Sequence, residues 1–253
     1  MSASGSVPNL ARLLDFAEPG PDDVCLDVSY GSGPLAVELA PRVRHLTAVD
    51  ATPARTSPDL PVRPRSTGGR TPTVLFASTP PTGIRIPGAS TLHADPRSLP
   101  CRDDAFSLVT CGTSLHRLDD PQAALREMLR VCHPKGRLII ADLIRPNLAT
   151  GDRELIERMR DPGHPPTPSI ARLVELITQA GADVRRLDVF TAERPVEAWL
   201  GDTAGTSAAD EIRTALMHEV DGGPRTGARP RVIGGELWLT QTWIHLAAQP
   251  LSG

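Results

Sequence analysis

Apolar positions recur at i, i+3, i+4 and i+7 through residues 8–17, where Leu10, Leu13, Leu14 and Ala17 share one face, so an amphipathic helix is expected there. The EPGPDD run breaks it. VCLDVS (24–29) is a short β-type run that passes at once into YGSG, and PLAVELAPRV then reads as a helix with Pro34 in its first turn. HLTAVD (45–50) is a second short strand ending in an acid. Helix, strand, glycine loop, helix, strand is the opening of a parallel, right-handed βαβ unit.

Periodicity is lost over residues 51–90, which hold eight prolines, five arginines and one acid, Asp59. The stretch is expected to be an irregular insertion or lid, with TVLFAS (73–78) as a candidate short strand. Pattern returns with STLHAD (90–95) and the strongly β-type AFSLVTCG (105–112). In DDPQAALREMLRVC (119–132) the residues Ala124, Leu125, Met128, Leu129 and Cys132 keep one helical face. Asp119 or Asp120 caps that helix, and Pro121 suits its first turn. HPKG reads as a turn and GRLIIADLI (136–144) as a buried strand. A charged helix follows at 151–160, and DPGHPPTPS (161–169) is a loop. IARLVELITQAG is a helix stopped by Gly181, ADVRRLDVF (182–190) a strand, EIRTALMHEVD (211–221) a helix and GGELWLTQTWIHLAAQ (234–249) a long alternating strand. About seven strands alternate with helices, and the last two are expected to pair antiparallel.

The chain of 253 residues has a formal net charge of -3, which carries no electrostatic footprint for nucleic acid or an anionic membrane. No apolar run approaches the length of a membrane span, and no secretory leader is recognised at the N-terminus. Cys25, Cys101, Cys111 and Cys132 show no CxxC spacing, so no metal site is expected and a reduced, cytoplasmic protein fits best.

The chemistry concentrates in Asp27-Val-Ser-Tyr-Gly31-Ser-Gly33, with Asp50 seventeen residues after Gly33. Glycines between a strand and a helix permit φ > 0 and close approach of backbone N–H groups to a ligand. An acid closing the next strand can accept both hydroxyls of a ribose. Gly31-Ser-Gly33-Pro-Leu-Ala36 also matches the dinucleotide pattern GxGxxA. Asp27, however, would repel a pyrophosphate while suiting an ammonium group, and Asp95 stands where an adenine amino group could be read. Tyr30 and Lys135 are the only Tyr and Lys, which removes the Tyr-x-x-x-Lys pair of a nicotinamide-dependent reductase.

VCLDVSYGSG with TAVD, the block LHADPRSLPCRDDAFSLVTCGTSLHRLDDPQAALREMLRVCHPKGRLIIADLI, and ERMRDPGHPP together resemble class I S-adenosylmethionine-dependent methyltransferases. The likeness is to the type 11 branch related to ubiquinone and menaquinone methyltransferases. It implies a single α/β domain with a Rossmann-like, seven-stranded sheet, an antiparallel last strand and helices on both faces. It implies S-adenosyl-L-methionine as cofactor. Asp27, Ser29, Gly31 and Gly33 would line the methionine end, Asp50 the ribose, and Ala94 with Asp95 the adenine. Cys111 and Gly112 would pass close to the sulfonium. The sequence departs from the family's DxGxGxG in carrying Ser29 in place of the first glycine, followed by Tyr30. Residues 51–90 replace a regular helix.

Methyl transfer needs a base only where the acceptor keeps its proton. His116, just after the fourth strand, and His164, in a loop that the resemblance places over the acceptor, are the candidates. Arg145 and Arg160 could bind an acidic acceptor. His93, His133, His218 and His245 read as structural or exposed, and Trp199, Trp238 and Trp243 as core or pocket wall. The expected activity is methylation of a small molecule in specialised, natural-product metabolism, with a homodimer compatible. A cyclase, isomerase or decarboxylase on the same fold, or a non-catalytic relative, is the alternative.

Overall fold

A computed structural model describes residues 10–29, 33–50, 86, 88–113, 115–146 and 151–251. The candidate strand at 73–78, most of the Pro-rich segment, Tyr30 and Gly31 lie outside the described residues.

The strands are β1 (Val24–Ser29), β2 (His45–Asp50), β3 (Ala89–His93), β4 (Phe106–Gly112), β5 (Cys132–Leu143), β6 (Ala182–Pro195), β7 (Arg231–Ile233) and β8 (Glu236–Pro250). They form one sheet in the order β3-β2-β1-β4-β5-β8-β6, with β7 pairing β8. The first five pair in parallel, and β8 runs antiparallel to β5, β6 and β7. The sheet therefore has eight strands rather than seven. The eighth is β7, three residues joined to β8 by Gly234-Gly235, both at positive φ, as a tight hairpin requires. The HPKG segment lies inside β5, where Phe106 pairs Cys132 and the register then shifts before Leu108 meets Arg137. Gly136 permits this: a Cβ there would stand 2.9 Å from the backbone oxygens of His133 and Ser107.

The helices are α1 (Leu10–Ala17), α2 (Pro34–Leu39), α3 (Pro121–Val131), α4 (Arg153–Arg160), α5 (Ile170–Gln179), α6 (Val196–Leu200) and α7 (Ser207–Val220). Side chains of Asp120, Asp152, Ser169 and Thr206 accept from backbone N–H groups three residues on and start α3, α4, α5 and α7. The strand period of two sorts the core into two layers. Leu26, Val28, Val109, Cys111, Leu138 and Ile140 pack with the apolar faces of α3 and α5. Cys25, Leu46, Leu108, Ile139 and Ala141 pack with α1 and α2 on the other side. A third cluster joins Ile156 of α4, α6, α7 and Leu239 of β8 into a cap. All four cysteines are free thiols, and Cys25, Cys111 and Cys132 are buried. Among the described residues no helix is long and apolar enough to cross a membrane.

Candidate active site

Because β1 to β4 run parallel, their carboxyl ends share one edge of the sheet. Ser29 is level with Asp50 and Asp50 with His93, while Asp27 is level with Thr110, two residues before Gly112. Candidate side chains predicted separately from three strand ends are thus brought to one rim. The Ala94 N–H donates to the Asp50 carbonyl at 3.4 Å, which ties the end of β3 to that of β2.

Asp27 follows Cys25 by two residues, so its side chain stands on the α2 face. It is fully buried, and its oxygens accept from the Ser29 hydroxyl at 2.6 Å and the Thr110 hydroxyl at 2.6 Å. Burial pushes the Asp27 carboxyl above its ordinary value, against the pull of the two hydroxyls. Ser29 therefore takes a place on the acid. Gly33 caps α2 in a left-handed conformation (φ 47°, ψ 66°). A Cβ there would reach 3.5 Å from Ser29 Oγ and 3.6 Å from Asp27 Oδ2, so the glycine keeps a cradle open above the carboxylate. A cationic group entering that cradle would meet a buried acid that it would stabilise in the charged form. That chemistry fits the methionine end of an adenosyl sulfonium. Asp95 is exposed, and Arg97 grips both its oxygens, with contacts down to 2.8 Å. Cys111 and Gly112 are buried at the end of β4.

On the opposite face, β4 runs into Thr113, a β-branched residue at φ 57° whose N–H donates to the Ala141 carbonyl at 2.6 Å. The turn Leu115–Arg117 follows and carries His116. Its backbone N–H donates to Asp142 Oδ2 at 2.9 Å, its Nδ1 bonds Asp142 Oδ1, and the Leu143 N–H donates to the same carboxylate at 2.8 Å. An ionised carboxylate only accepts, so Nδ1 carries the proton and Nε2 is left as the basic nitrogen. Both side chains are nearly sealed, at 3% and 1% exposure.

His164 lies across from this pair. The two imidazole rings are 5.5 Å apart, and His164 Nδ1 is buried without a hydrogen-bond partner. Burial pushes the His164 ring below its ordinary value, opposed by nearby Glu157, so it is neutral at pH 7. Arg117, next to His116, meets Asp161 at 3.7 Å, and the His164 N–H donates to the Asp161 carbonyl at 2.9 Å, which links the two loops. Glu157, also buried, accepts from Arg153 at 2.7 Å and pairs with Arg160 at 3.3 Å.

Of the residues expected from sequence, Asp27, Ser29 and Gly33 form one cluster and His116 with His164 another. Asp50 and Ala94 stand together on the rim, and Asp95 is turned to Arg97. His93, His133 and His218 are exposed, whereas His245 is buried. Trp199 and Trp243 are core residues. Sequence reasoning missed Thr110, Asp142, Glu157 and Arg153. A carboxylate inside the apolar run GRLIIADLI was the signal for Asp142, since a charge in a buried strand requires a partner.

The fold and this rim together define a nucleoside-binding α/β sheet with an acid–imidazole pair beside it. Residues 7–187, well over half the chain, match the methyltransferase domain family, and the chain belongs to that family. It is a class I, S-adenosylmethionine-dependent methyltransferase, with S-adenosyl-L-methionine as its cofactor. The chain is 23% identical over 212 residues to the uncharacterized methyltransferase YcgJ of Bacillus subtilis, covering 83% of this chain and 76% of that protein. The crystal structure of YcgJ superposes with a TM-score of 0.70 at 21% identity, over 96% of this chain and 98% of that one. A demethylmenaquinone methyltransferase of Mycolicibacterium paratuberculosis is 46% identical over 159 residues, which are 62% of this chain and 56% of that protein. A 2-phytyl-1,4-naphtoquinone methyltransferase of Nostoc is 30% identical over 131 residues, covering 52% of this chain and 50% of the relative.

Proposed function

We propose that this enzyme methylates a small hydroxylated acceptor, with His116 as the base that removes the acceptor's proton. The carrying observation is the sealed Asp142–His116 pair facing His164 at the carboxyl edge of the sheet. The names of two relatives denote naphthoquinone acceptors, whose reduced rings bear ionisable hydroxyls. Methylation of such a ring, at oxygen or at a carbon activated by the phenolate, requires loss of a proton.

In this reading Asp27, Ser29 and Gly33 hold the amino-acid end of the cofactor, and Asp50 accepts the ribose hydroxyls. Ala94 and Asp95 border the adenine, and Cys111 and Gly112 flank the reacting group. Bound S-adenosylmethionine supplies an electrophilic methyl on a sulfonium. The chain's own work is alignment, exclusion of water and proton removal. His116 Nε2 takes the acceptor's proton, and Asp142 stabilises the imidazolium that forms. His164, neutral, holds the acceptor's oxygen by a hydrogen bond. We place the reaction in specialised metabolism, and the pathway encoded beside this chain checks that assignment.

The test is titration with S-adenosylhomocysteine followed by methyl transfer to hydroxynaphthoates and hydroquinones. The reading predicts cofactor-product binding, and transfer that His116→Ala removes without changing that binding. Transfer unaffected by His116→Ala would refute the base, and no binding at millimolar ligand would refute the cradle.

A further inference from the structure

A cleft beside the histidine pair is unaccounted for by cofactor binding or proton removal. It lies between the end of β5, α4 and the last turn before β7, and holds a cavity of about 30 Å³. Three arginines, Arg145, Arg153 and Arg229, and two glutamates, Glu154 and Glu157, contribute to its wall. The glutamates are engaged, though Glu157 Oε2 has an ion pair with Arg160 and no hydrogen bond. Glu154 accepts from the Thr167 N–H at 3.2 Å, and Glu157 lies between Arg153 and Arg160. The arginines are not fully used. Arg153 Nη1 is buried without a partner, although its Nε and Nη2 both reach Glu157. With Arg160 behind them, guanidinium groups outnumber carboxylates in this corner of the protein.

Backbone strain at the same cleft is a second, independent observation. Arg229 holds φ 49°, a left-handed conformation that favours glycine. Thr240 fixes it there: its N–H donates to the Ala228 carbonyl at 2.9 Å and its hydroxyl to the Arg229 carbonyl at 3.3 Å. The Arg229 guanidinium then docks on the Thr242 hydroxyl at 3.2 Å. Glycine would relax this position, so the arginine side chain there points to a role besides folding.

We propose that the cleft is an anion subsite that grips a carboxylate on the methyl acceptor through Arg153 and Arg229. The proposal rests on the methyl-transfer reading above and narrows its acceptor to hydroxylated carboxylic acids. The cavity has room for about two water-sized groups, as the two oxygens of a carboxylate need. Its wall runs on directly from Asp142 through Leu143 and Ile144, and it shares Glu157 with the surroundings of His164. An acceptor anchored here would carry its hydroxyl toward the imidazoles. Arginine's planar fork suits a carboxylate better than a point charge would.

The full chain, saturated with S-adenosylhomocysteine, is titrated by calorimetry with benzoate, with neutral benzamide and with inorganic phosphate. Benzoate is expected to bind at least tenfold tighter than benzamide. Arg229→Gly should abolish that preference with no fall in Tm, and Arg153→Lys should weaken benzoate at least tenfold. S-adenosylhomocysteine affinity should stay unchanged in both variants. Equal binding of benzoate and benzamide, or a preference that survives both substitutions, overturns the proposal, since the cleft then holds water alone. Phosphate that displaces benzoate at equal concentration also overturns it, by assigning the cleft to phosphoryl groups. Loss of S-adenosylhomocysteine binding in the unsubstituted protein, with benzoate preference intact, would refute the methyl-transfer reading and leave the anion site standing.

Discussion

Asp142→Asn tests the proposed base, His116, most directly. The native carboxylate accepts from two backbone N–H groups, of His116 at 2.9 Å and Leu143 at 2.8 Å, and from the His116 ring. Asparagine is nearly isosteric but has one carbonyl oxygen, and its amide would donate to His116 Nδ1. The ring would then carry its proton on Nε2, where the base must be empty. A hydrogen bond to a charged group contributes about 1.5–3 kcal/mol and a neutral one about 0.5–1.5 kcal/mol. One N–H facing the new amide also loses its partner, at about 1–3 kcal/mol. The fold should weaken by about 2–4 kcal/mol, a Tm fall of roughly 5–15 °C for a chain of this size. A positioned base contributes about 10²–10⁴ in rate. Reversing a catalytic imidazole's tautomer costs up to about 10⁴ in the serine-protease triad. Transfer of a labelled methyl group, measured well below the variant's Tm, should fall by about 10²–10⁴, which is about 3–5 kcal/mol of barrier. S-adenosylhomocysteine affinity should not move. An acceptor already ionised at the assay pH should recover most of the lost rate, which a merely structural defect would not allow. A folded Asp142→Asn protein that methylates a protonated hydroxyl acceptor within threefold of the native rate would refute the assignment.

Asp50→Ala should weaken S-adenosylhomocysteine by about 10–100-fold, the loss expected for one to two charged hydrogen bonds; calorimetry showing unchanged affinity would remove the ribose assignment. Gly33→Ala should cost only about 1–2 kcal/mol of stability, because its Cβ would make ordinary 3.5–3.6 Å contacts and the strain of φ 47° is the main term. The same methyl group stands in the cradle, so S-adenosylhomocysteine should bind at least tenfold more weakly, and equal binding would show that the ligand lies elsewhere. Acid should destabilise the fold through His245, which is fully buried between Phe16 and Phe190 and pushed down to about 4 by burial. The unfolded ring takes up its proton near 6.5 and the folded ring only near 4, so stability falls as pH drops through that interval, by about 2 kcal/mol at pH 5. Urea titrations at pH 7 and pH 5 should show that difference shrink in His245→Leu, and an undiminished difference would assign the acid sensitivity to other groups.

The parallel half of the sheet was legible because strands buried on both faces read as continuous apolar runs, α2 follows a glycine turn with Pro34 at its start, and α3 carries both a period and a side-chain cap. VCLDVS, HLTAVD and AFSLVTCG became β1, β2 and β4 with nearly the expected bounds. The last third was less legible. β6 runs to Pro195, beyond the expected 190, and α6 and β7 were not foreseen. Each of the two is too short to show a period, five residues and three. The site divides along the same line. Asp27, Gly33 and Asp50 sit where a strand end meets a turn, and local sequence marks such places. Asp142, Thr110 and Arg153 act only through partners brought near by tertiary structure. Thr110 meets Asp27 because β1 and β4 are neighbours in register, 83 residues apart in sequence. Asp142 meets His116 because β5 lies beside β4 and the chain turns sharply at Thr113. From sequence, His116 and His164 were candidates only by their place after the fourth strand and in the 161–169 loop. In the proposed reaction they work together through the acid supplied by the neighbouring strand, which hydrogen-bonds one ring, and through the burial that lowers the proton affinity of the other. A single-site change on β5 is for that reason a sharper probe of the reaction than a change at either histidine, since it alters the proton's position while leaving both rings in place.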